Sequence, residues 1–249
     1  MRSGPDPLPS DSGKASNDVT PHLRLMTANL YNGGADPEAV ADLVEELQID
    51  VACFQELAPL QADAIGRVLP HGKLEPSLDH EGAGIALRCP GDVTRLPLPR
   101  RDARVVRLSP TDWPLLDATL EVIGVHIQAP HGTPPPWITL PTRRAQIGGL
   151  VEFVESAPVA HRVVAGDFNA TPLWPAYQRM VEHFVDAPRT IAQTGGRRPR
   201  RTWGPLRMGP LRLLRIDHVF TAGVEAANPA VHALPGSDHA ALVLDLELG

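Results

Sequence analysis

The sequence predicts an α/β fold of two stacked sheets with helices on the outside, and three observations lead there. Apolar strand-like runs outnumber helix-like stretches along the 249 residues. Several of those runs follow one another with no helix between them, which favours two packed sheets over one parallel sheet. Two of the helix-like stretches carry a single apolar face, as helices covering a sheet do.

The elements read in order as follows. Residues 1–21 are rich in Pro, Ser, Gly and Asp and lack an apolar core, so they are expected to form a disordered tail rather than a signal peptide. One domain is expected over 22–249. Leu23 to Asn29 alternates like a strand. Asp36-Pro37 is an N-cap followed by proline at the first helical position, and Val40, Leu43, Val44 and Leu47 then share one helix face. Ile49 to Phe54 reads as a buried strand, and a helix follows from Pro59 to Leu69. Strands are expected at Gly84–Leu87, Ala103–Leu108, Leu116–Leu120 and Val122–Ile127. Pro130 to Pro141 reads as a proline-rich loop carrying Trp137, with Arg143, Arg144 and Gln146 starting the next helix. That helix shows Ile147, Leu150, Val151 and Val154 on one face. A strand through Val163 to Ala165, a helix near Pro175–His183, and strands at Ile216–Phe220 and Ala241–Leu246 complete the chain. No internal repeat or domain boundary is visible.

Composition bounds the function. Hydrophobic residues make up 43% and charged residues 21%, ordinary for a globular protein. The net charge of -6 argues against a protein that coats long nucleic acid, though not against a local basic cleft. With only Cys53 and Cys89, there is neither a disulfide framework nor a Cys-x-x-Cys zinc motif. No apolar run approaches the roughly 18–20 residues a membrane helix needs. A cytoplasmic monomer is the expectation.

Polar residues end or interrupt the apolar strands at six places: Asn29, Glu56, His126, Asp167 with Asn169, Asp217-His218, and Ser237-Asp238-His239. Any one of them has a bland reading as a turn or a satisfied core polar. The six together point to metal-assisted phosphoester hydrolysis. Oxygen donors such as Asn29, Glu56 and Asp238 suit a hard cation, Mg²⁺ or Mn²⁺. Amides and imidazoles stabilise the charge of a phosphoryl transition state. A water needs orienting and deprotonating, the task of Asp167 or of an Asp–His pair. Nucleophile-elbow, P-loop and His-Glu-x-x-His motifs are absent. Glu81-Gly82-Ala83-Gly84 lacks both the third glycine and the preceding strand of a dinucleotide fingerprint.

Six segments occur in an order that resembles the endonuclease/exonuclease/phosphatase superfamily. They are Met26-Thr27-Ala28-Asn29-Leu30, Phe54-Gln55-Glu56, Gly124-Val125-His126, Gly166-Asp167-Phe168-Asn169, Arg215-Ile216-Asp217-His218-Val219 and Ser237-Asp238-His239. The resemblance implies a four-layer α/β/β/α sandwich of two packed mixed sheets, with the site at one edge. It implies Glu56 as principal metal ligand, assisted by Asn29 and Asp238. It implies that His239 contacts the phosphate or acts as base, oriented by Asp217, and that Asp167 positions the water. Asn169 and His126 would stabilise phosphoryl oxygens. By the deoxyribonuclease branch, Glu81 would contact His126. Many members carry Asn-x-His where this chain has Gly124-Val125-His126, so one polar contact is expected to be missing.

The expected substrate is a phosphodiester, with DNA or RNA somewhat favoured over a small or lipid-linked phosphate. Arg197-Arg198-Pro199-Arg200-Arg201, followed by Trp203, Arg207, Arg212 and Arg215, reads either as a solvated loop or as a grip on a nucleic-acid backbone, and the same charges suit anionic headgroups or a phosphorylated metabolite. Trp137 would stack on a base or wall off a small substrate, and Arg144 would either reach the substrate or stand as an ordinary exposed arginine at the helix start. A non-catalytic binding module is disfavoured because each motif position carries a competent residue.

Overall fold

The computed structural model describes residues 22–130 and 136–247, with the side chains of 136 and 137 excepted. The tail at 1–21 and the 131–135 part of the proline-rich stretch lie outside the described residues. In chain order the elements are β1 (His22–Asn29), α1 (Pro37–Glu46), β2 (Val51–Gln55), α2 (Pro59–Val68), β3 (His71–Glu75), β4 (Ala83–Leu87), β5 (Val93–Leu96), β6 (Ala103–Leu108) and β7 (Leu120–His126). There follow α3 (Pro136–Ser156), β8 (His161–Asp167), α4 (Pro175–Met180), β9 (Val185–Asp186), α5 (Ala187–Thr194), β10 (Asp217–Ala222), β11 (Glu225–Ala233) and β12 (Ala240–Glu247).

The strands form two six-stranded mixed sheets, ordered β11-β12-β1-β2-β4-β3 and β5-β6-β7-β8-β10-β9. In the middle of each sheet two strands run parallel, β1 with β2 and β7 with β8, while the flanking pairs are antiparallel. Because side chains alternate across a strand, each central strand feeds two cores. Leu25, Cys53, Ile85, Val122, Val163 and Leu244 fill the space between the sheets. Met26, Ala28, Phe54 and Val243 face the other way, against Val40 and Val44 of α1 and Ile65 of α2. Ile123, Val164 and Phe220 meet Ile147, Leu150 and Val151 of α3 and Tyr177 of α4. The result is the expected four-layer α/β/β/α sandwich. Both central strand pairs are buried on both faces, which is why they read as apolar runs.

Two expected elements differ. Leu116–Leu120 is not a strand. Trp113 and Leu116 are apolar because they plug the inter-sheet core from a turn, and the strand begins only at Leu120. The proline-rich stretch is not loop throughout. Helix α3 starts at Pro136, where a missing N–H costs nothing, and runs on through Pro141. Arg143, Arg144 and Gln146 therefore sit in its interior rather than at its start.

This topology brings the polar strand ends together. β1, β2, β7 and β8 finish at one edge of the sandwich, and the antiparallel β10 and β12 begin there. Asp167 is in register with both His126 and Asp217, and Asn29 with Gln55. At Gly166 the chains pass so closely that a Cβ would lie 2.0 Å from the Val125 carbonyl oxygen, so the Gly before Asp167 is a packing requirement.

Candidate active site

Asp167 lies at the centre of the edge and is almost wholly buried. Its Oδ1 accepts the Asn169 backbone N–H at 2.7 Å. Its Oδ2 accepts from Asn169 Nδ2 at 2.9 Å and from Asn29 Nδ2 at 3.1 Å. Asn29 belongs to the first sheet and Asp167 to the second, so this bond spans the gap between them. Asn169 reaches its position through left-handed backbone (φ 49°), a conformation Asn tolerates. Its amide also donates to the Ile127 carbonyl at 3.0 Å. Burial, reinforced by the Asp217 and Glu56 carboxylates, pushes Asp167 up to about 7 against the opposing pull of His239.

His239 offers Nδ1 to Asp217 at 2.9 and 3.1 Å, while its Nε2 stands 3.9 Å from Asp167 Oδ2. Burial works against a charged ring here, but the Asp217 carboxylate outweighs it and lifts His239 to about 9. At neutral pH this ring is an imidazolium. Ser237 sets it in place, donating its hydroxyl to the Asn29 carbonyl and accepting the His239 backbone N–H. Asp217 is anchored by its own N–H to Thr202 Oγ1. One donor atom each from Asp167, Asp217 and His239 lie within 4.8 Å of one another.

Glu56 follows β2 with φ 52°, an uncommon conformation for glutamate, and its carboxylate faces the same cleft. Oε1 accepts from Asn29 Nδ2 at 3.3 Å, and Oε2 pairs with His80 Nδ1 at 2.6 Å. Asp238 accepts the Trp203 indole N–H on Oδ2 at 2.8 Å, whereas its buried Oδ1 has no hydrogen-bond partner among the described residues. A buried carboxylate oxygen without a donor is the kind of group that cation coordination satisfies. Glu56 and Asp238 offer carboxylate oxygens, while Asn29 turns its Nδ2 to Glu56 and Asp167 and accepts the Tyr31 backbone N–H on Oδ1 at 3.0 Å. Cys53 is buried between the sheets away from them. The two carboxylates suit a hard divalent cation.

His126 ends β7 with Nε2 3.6 Å from Glu56 Oε1 and 3.7 Å from Asp167 Oδ2. The expected Glu81 contact is not made. What occupies Nε2 is Arg101 Nη1, at 2.8 Å. Burial, with Arg101 and two other imidazoles adding to it, drives His126 well below the usual histidine range. Gly124 faces Cys53 and Ile85 in the core between the sheets, so no polar side chain stands two residues before His126.

The remaining sequence-predicted residues are more peripheral. Arg144 is exposed on α3, beside Trp174 and Arg179. It is the neighbouring Arg143 that turns inward, donating to the Asn169 carbonyl at 2.9 Å. The Trp137 side chain lies outside the described residues. Arg101 and His80 both reach the site and carry no sequence signal, because each sits in a charged loop indistinguishable from solvated surface. The basic run at 197–201 lines two adjacent cavities of about 360 and 350 Å³ near α5 and β11. It joins the site through Trp203, which bridges to His239.

The Endonuclease/Exonuclease/phosphatase family model matches residues 26–239. The chain belongs to that family. Among solved structures it is similar to an endonuclease/exonuclease/phosphatase from Bacteroides vulgatus, with 18% identity and a TM-score of 0.69 over 92% of this chain and 99% of that one. The human Nocturnin catalytic domain matches at 20% identity and TM-score 0.68, covering 93% and 96%. An AP endonuclease from Archaeoglobus fulgidus matches at 17% and 0.68, covering 89% and 98%. At these identities the likeness shows the shared fold. A search of curated proteins finds no match. As a family member the chain carries a phosphoesterase fold. No helix among the described residues is long and apolar enough to cross a membrane.

Proposed function

We propose that this chain is a Mg²⁺- or Mn²⁺-dependent phosphodiesterase acting by direct water attack, with nucleic acid as its preferred substrate. The observation that carries the reading is the meeting of the Asp217–His239 pair with Asp167, 3.9 Å away, beside the Glu56 carboxylate. Glu56, Asn29 and Asp238 would hold the cation, which supplies charge stabilisation to the phosphoryl group when bound.

Asp167 orients the attacking water and takes its proton. Its two asparagine donors hold the carboxylate in one orientation throughout. As the water oxygen bonds to phosphorus, the bond to the leaving oxygen breaks and that oxygen takes a proton from solvent. In-line displacement puts the leaving oxygen opposite the water. His239, so close to Asp167, is on the nucleophile's side, so the imidazolium stabilises a non-bridging oxygen rather than protonating the leaving group. Asn169 and His126 border the same oxygens.

Two features support a nucleic-acid substrate. Arg197, Arg198, Arg200 and Arg201 are exposed and make no ion pair among the described residues. Between Trp174, Trp203, Leu214 and Ile216 lies an apolar slot of about 80 Å³ directly beside Asn169, suited to a sugar or base edge. A second reading, a lipid-linked phosphate, draws on Leu206, Met208, Leu211 and Leu214, all exposed on the loop that follows Trp203. Nicking of supercoiled plasmid with Mg²⁺ and with EDTA, with Asp167→Ala as control, tests the proposal. Metal-dependent nicking lost in the variant supports it. No nicking, together with hydrolysis of sphingomyelin or an inositol phosphate, moves the assignment to the second reading.

A further inference from the structure

Arg101 is the cation of this site that its motifs do not announce. It follows a strained residue, Arg100, whose backbone is left-handed (φ 72°) without being glycine or asparagine. The turn is held from outside by Gln146, a fully buried side chain of α3. Gln146 donates to the Pro99 carbonyl at 2.9 Å and accepts the Gln128 backbone N–H, also at 2.9 Å. One side chain thus locks the loop before Arg101 to the segment just after His126. So much positioning of a loop residue is expected where the residue has a task.

The arginine it positions has unusual bonding. Its surroundings are acidic, with the Glu56, Asp167 and Glu81 carboxylates all acting on it. Yet it forms no carboxylate ion pair within 4 Å among the described residues. Among the described residues its one hydrogen bond goes to His126 Nε2. A guanidinium has five N–H donors and no acceptor, so Nε2 must be the accepting nitrogen, and the neutral ring carries its proton on Nδ1. In that tautomer His126 cannot donate from Nε2 to a phosphoryl oxygen, and the positive charge nearest it is the arginine.

We propose that Arg101, rather than His126, supplies the positive charge that binds the phosphoryl oxygens on this side of the cleft, with His126 serving as the neutral rest that holds the guanidinium until substrate arrives. The proposal rests on the phosphodiesterase reading for its substrate. A fork of N–H donors matches two non-bridging oxygens at once, which an ammonium does not. Arg101→Lys therefore keeps the charge and loses the match.

Three measurements test this on the full chain. Nitrogen-15 NMR of the His126 ring is expected to show protonation at Nδ1 in the wild type, and redistribution toward Nε2–H in Arg101→Ala. Inorganic phosphate, titrated into the metal-free protein by calorimetry, is expected to bind at least tenfold more weakly to Arg101→Ala. For bis(p-nitrophenyl) phosphate with Mn²⁺, kcat/KM is expected to fall about 100-fold in Arg101→Ala and about tenfold in Arg101→Lys. A wild-type ring protonated at Nε2, or phosphate binding unchanged in Arg101→Ala, overturns the assignment. So does an active wild type with Arg101→Ala within twofold of it, and that outcome leaves the phosphodiesterase reading intact. Phosphate binding that depends on Arg101 in a wild type inert toward every diester has the opposite meaning: the arginine's role stands and the reaction assigned to the site falls.

Discussion

Asp217 holds the His239 ring at Nδ1 through both carboxylate oxygens, at 2.9 and 3.1 Å. Because the pair is buried, this contact decides the charge of the ring. His239 is charged below about 9, and Asp167 is free to accept a proton above about 7. Activity is therefore expected to rise through pH 7 and fall through pH 9. Asp217→Asn removes the charge that keeps the imidazolium protonated, so the alkaline limb moves to lower pH. Turnover falls by roughly 10²–10⁴. The pH dependence of kcat/KM checks this, and an alkaline limb that stays put in the variant contradicts it.

The cation's proposed principal ligand is also testable. EDTA is expected to abolish activity and Mg²⁺ or Mn²⁺ to restore it. Glu56→Gln removes the carboxylate charge but keeps its size and its bond to Asn29. The Mg²⁺ concentration for half-maximal rate is expected to rise by at least about tenfold, the scale typical of losing a metal-site interaction. An unchanged metal requirement would remove Glu56 from the ligand set.

Away from the cleft, His218 is buried among Phe168, Tyr177 and Phe220 and bonds through Nε2 to the Ala170 carbonyl. Burial, helped by Arg215, lowers it to about 4. Unfolded, the same ring titrates near 6.5, so between these values the unfolded chain binds a proton the folded one refuses. Stability from this residue is complete above pH 6.5 and drains away as pH falls toward 4. His218→Phe removes the titration and fills the aromatic box. From pH 7.5 to 5, urea unfolding is expected to shift in the variant's favour by about 2 kcal/mol. A constant difference across that range rejects the account.

The arginine run makes a separate claim. Replacing Arg197, Arg198, Arg200 and Arg201 with Ala is expected to raise KM for duplex DNA. It should also flatten the dependence of log KM on log salt, by roughly one unit for each phosphate that is no longer neutralised. The same variant should leave hydrolysis of bis(p-nitrophenyl) phosphate within about twofold, since that substrate is too small to touch the run. DNA cleavage with an unaltered salt slope would show that the run is solvated surface.

How much of this could be read from the residues depends on burial. The central strands were legible because both faces are covered, leaving apolar runs that break only where a polar side chain enters the cleft. Edge strands gave no such signal. β3 is largely exposed, and β11 contains Asn228-Pro229 at a register shift between Ala227 and Ala230. Asp186 capping α5, with Pro188 in its first turn, is a usable start signal for a helix absent from the sequence expectation. Asn29, Glu56, Asp167, Asn169, Asp217, Asp238 and His239 stood out because they lie at or beside the ends of apolar strands, which the topology gathers at one edge. Arg101 and His80 were missed because loops place them there. The Glu81–His126 contact is not made because Arg101 occupies the His126 Nε2.

The bond from Asn29 to Asp167 has a consequence for how the protein comes apart. Asn29, Glu56, Asp238 and His239 belong with one sheet, and His126, Asp167, Asn169 and Asp217 with the other, so neither sheet alone owns a working set. Activity is then a gauge of sheet-to-sheet docking rather than of strand content. A state that keeps its β-structure while the sheets slip by an ångström or two would look folded by circular dichroism and be catalytically silent.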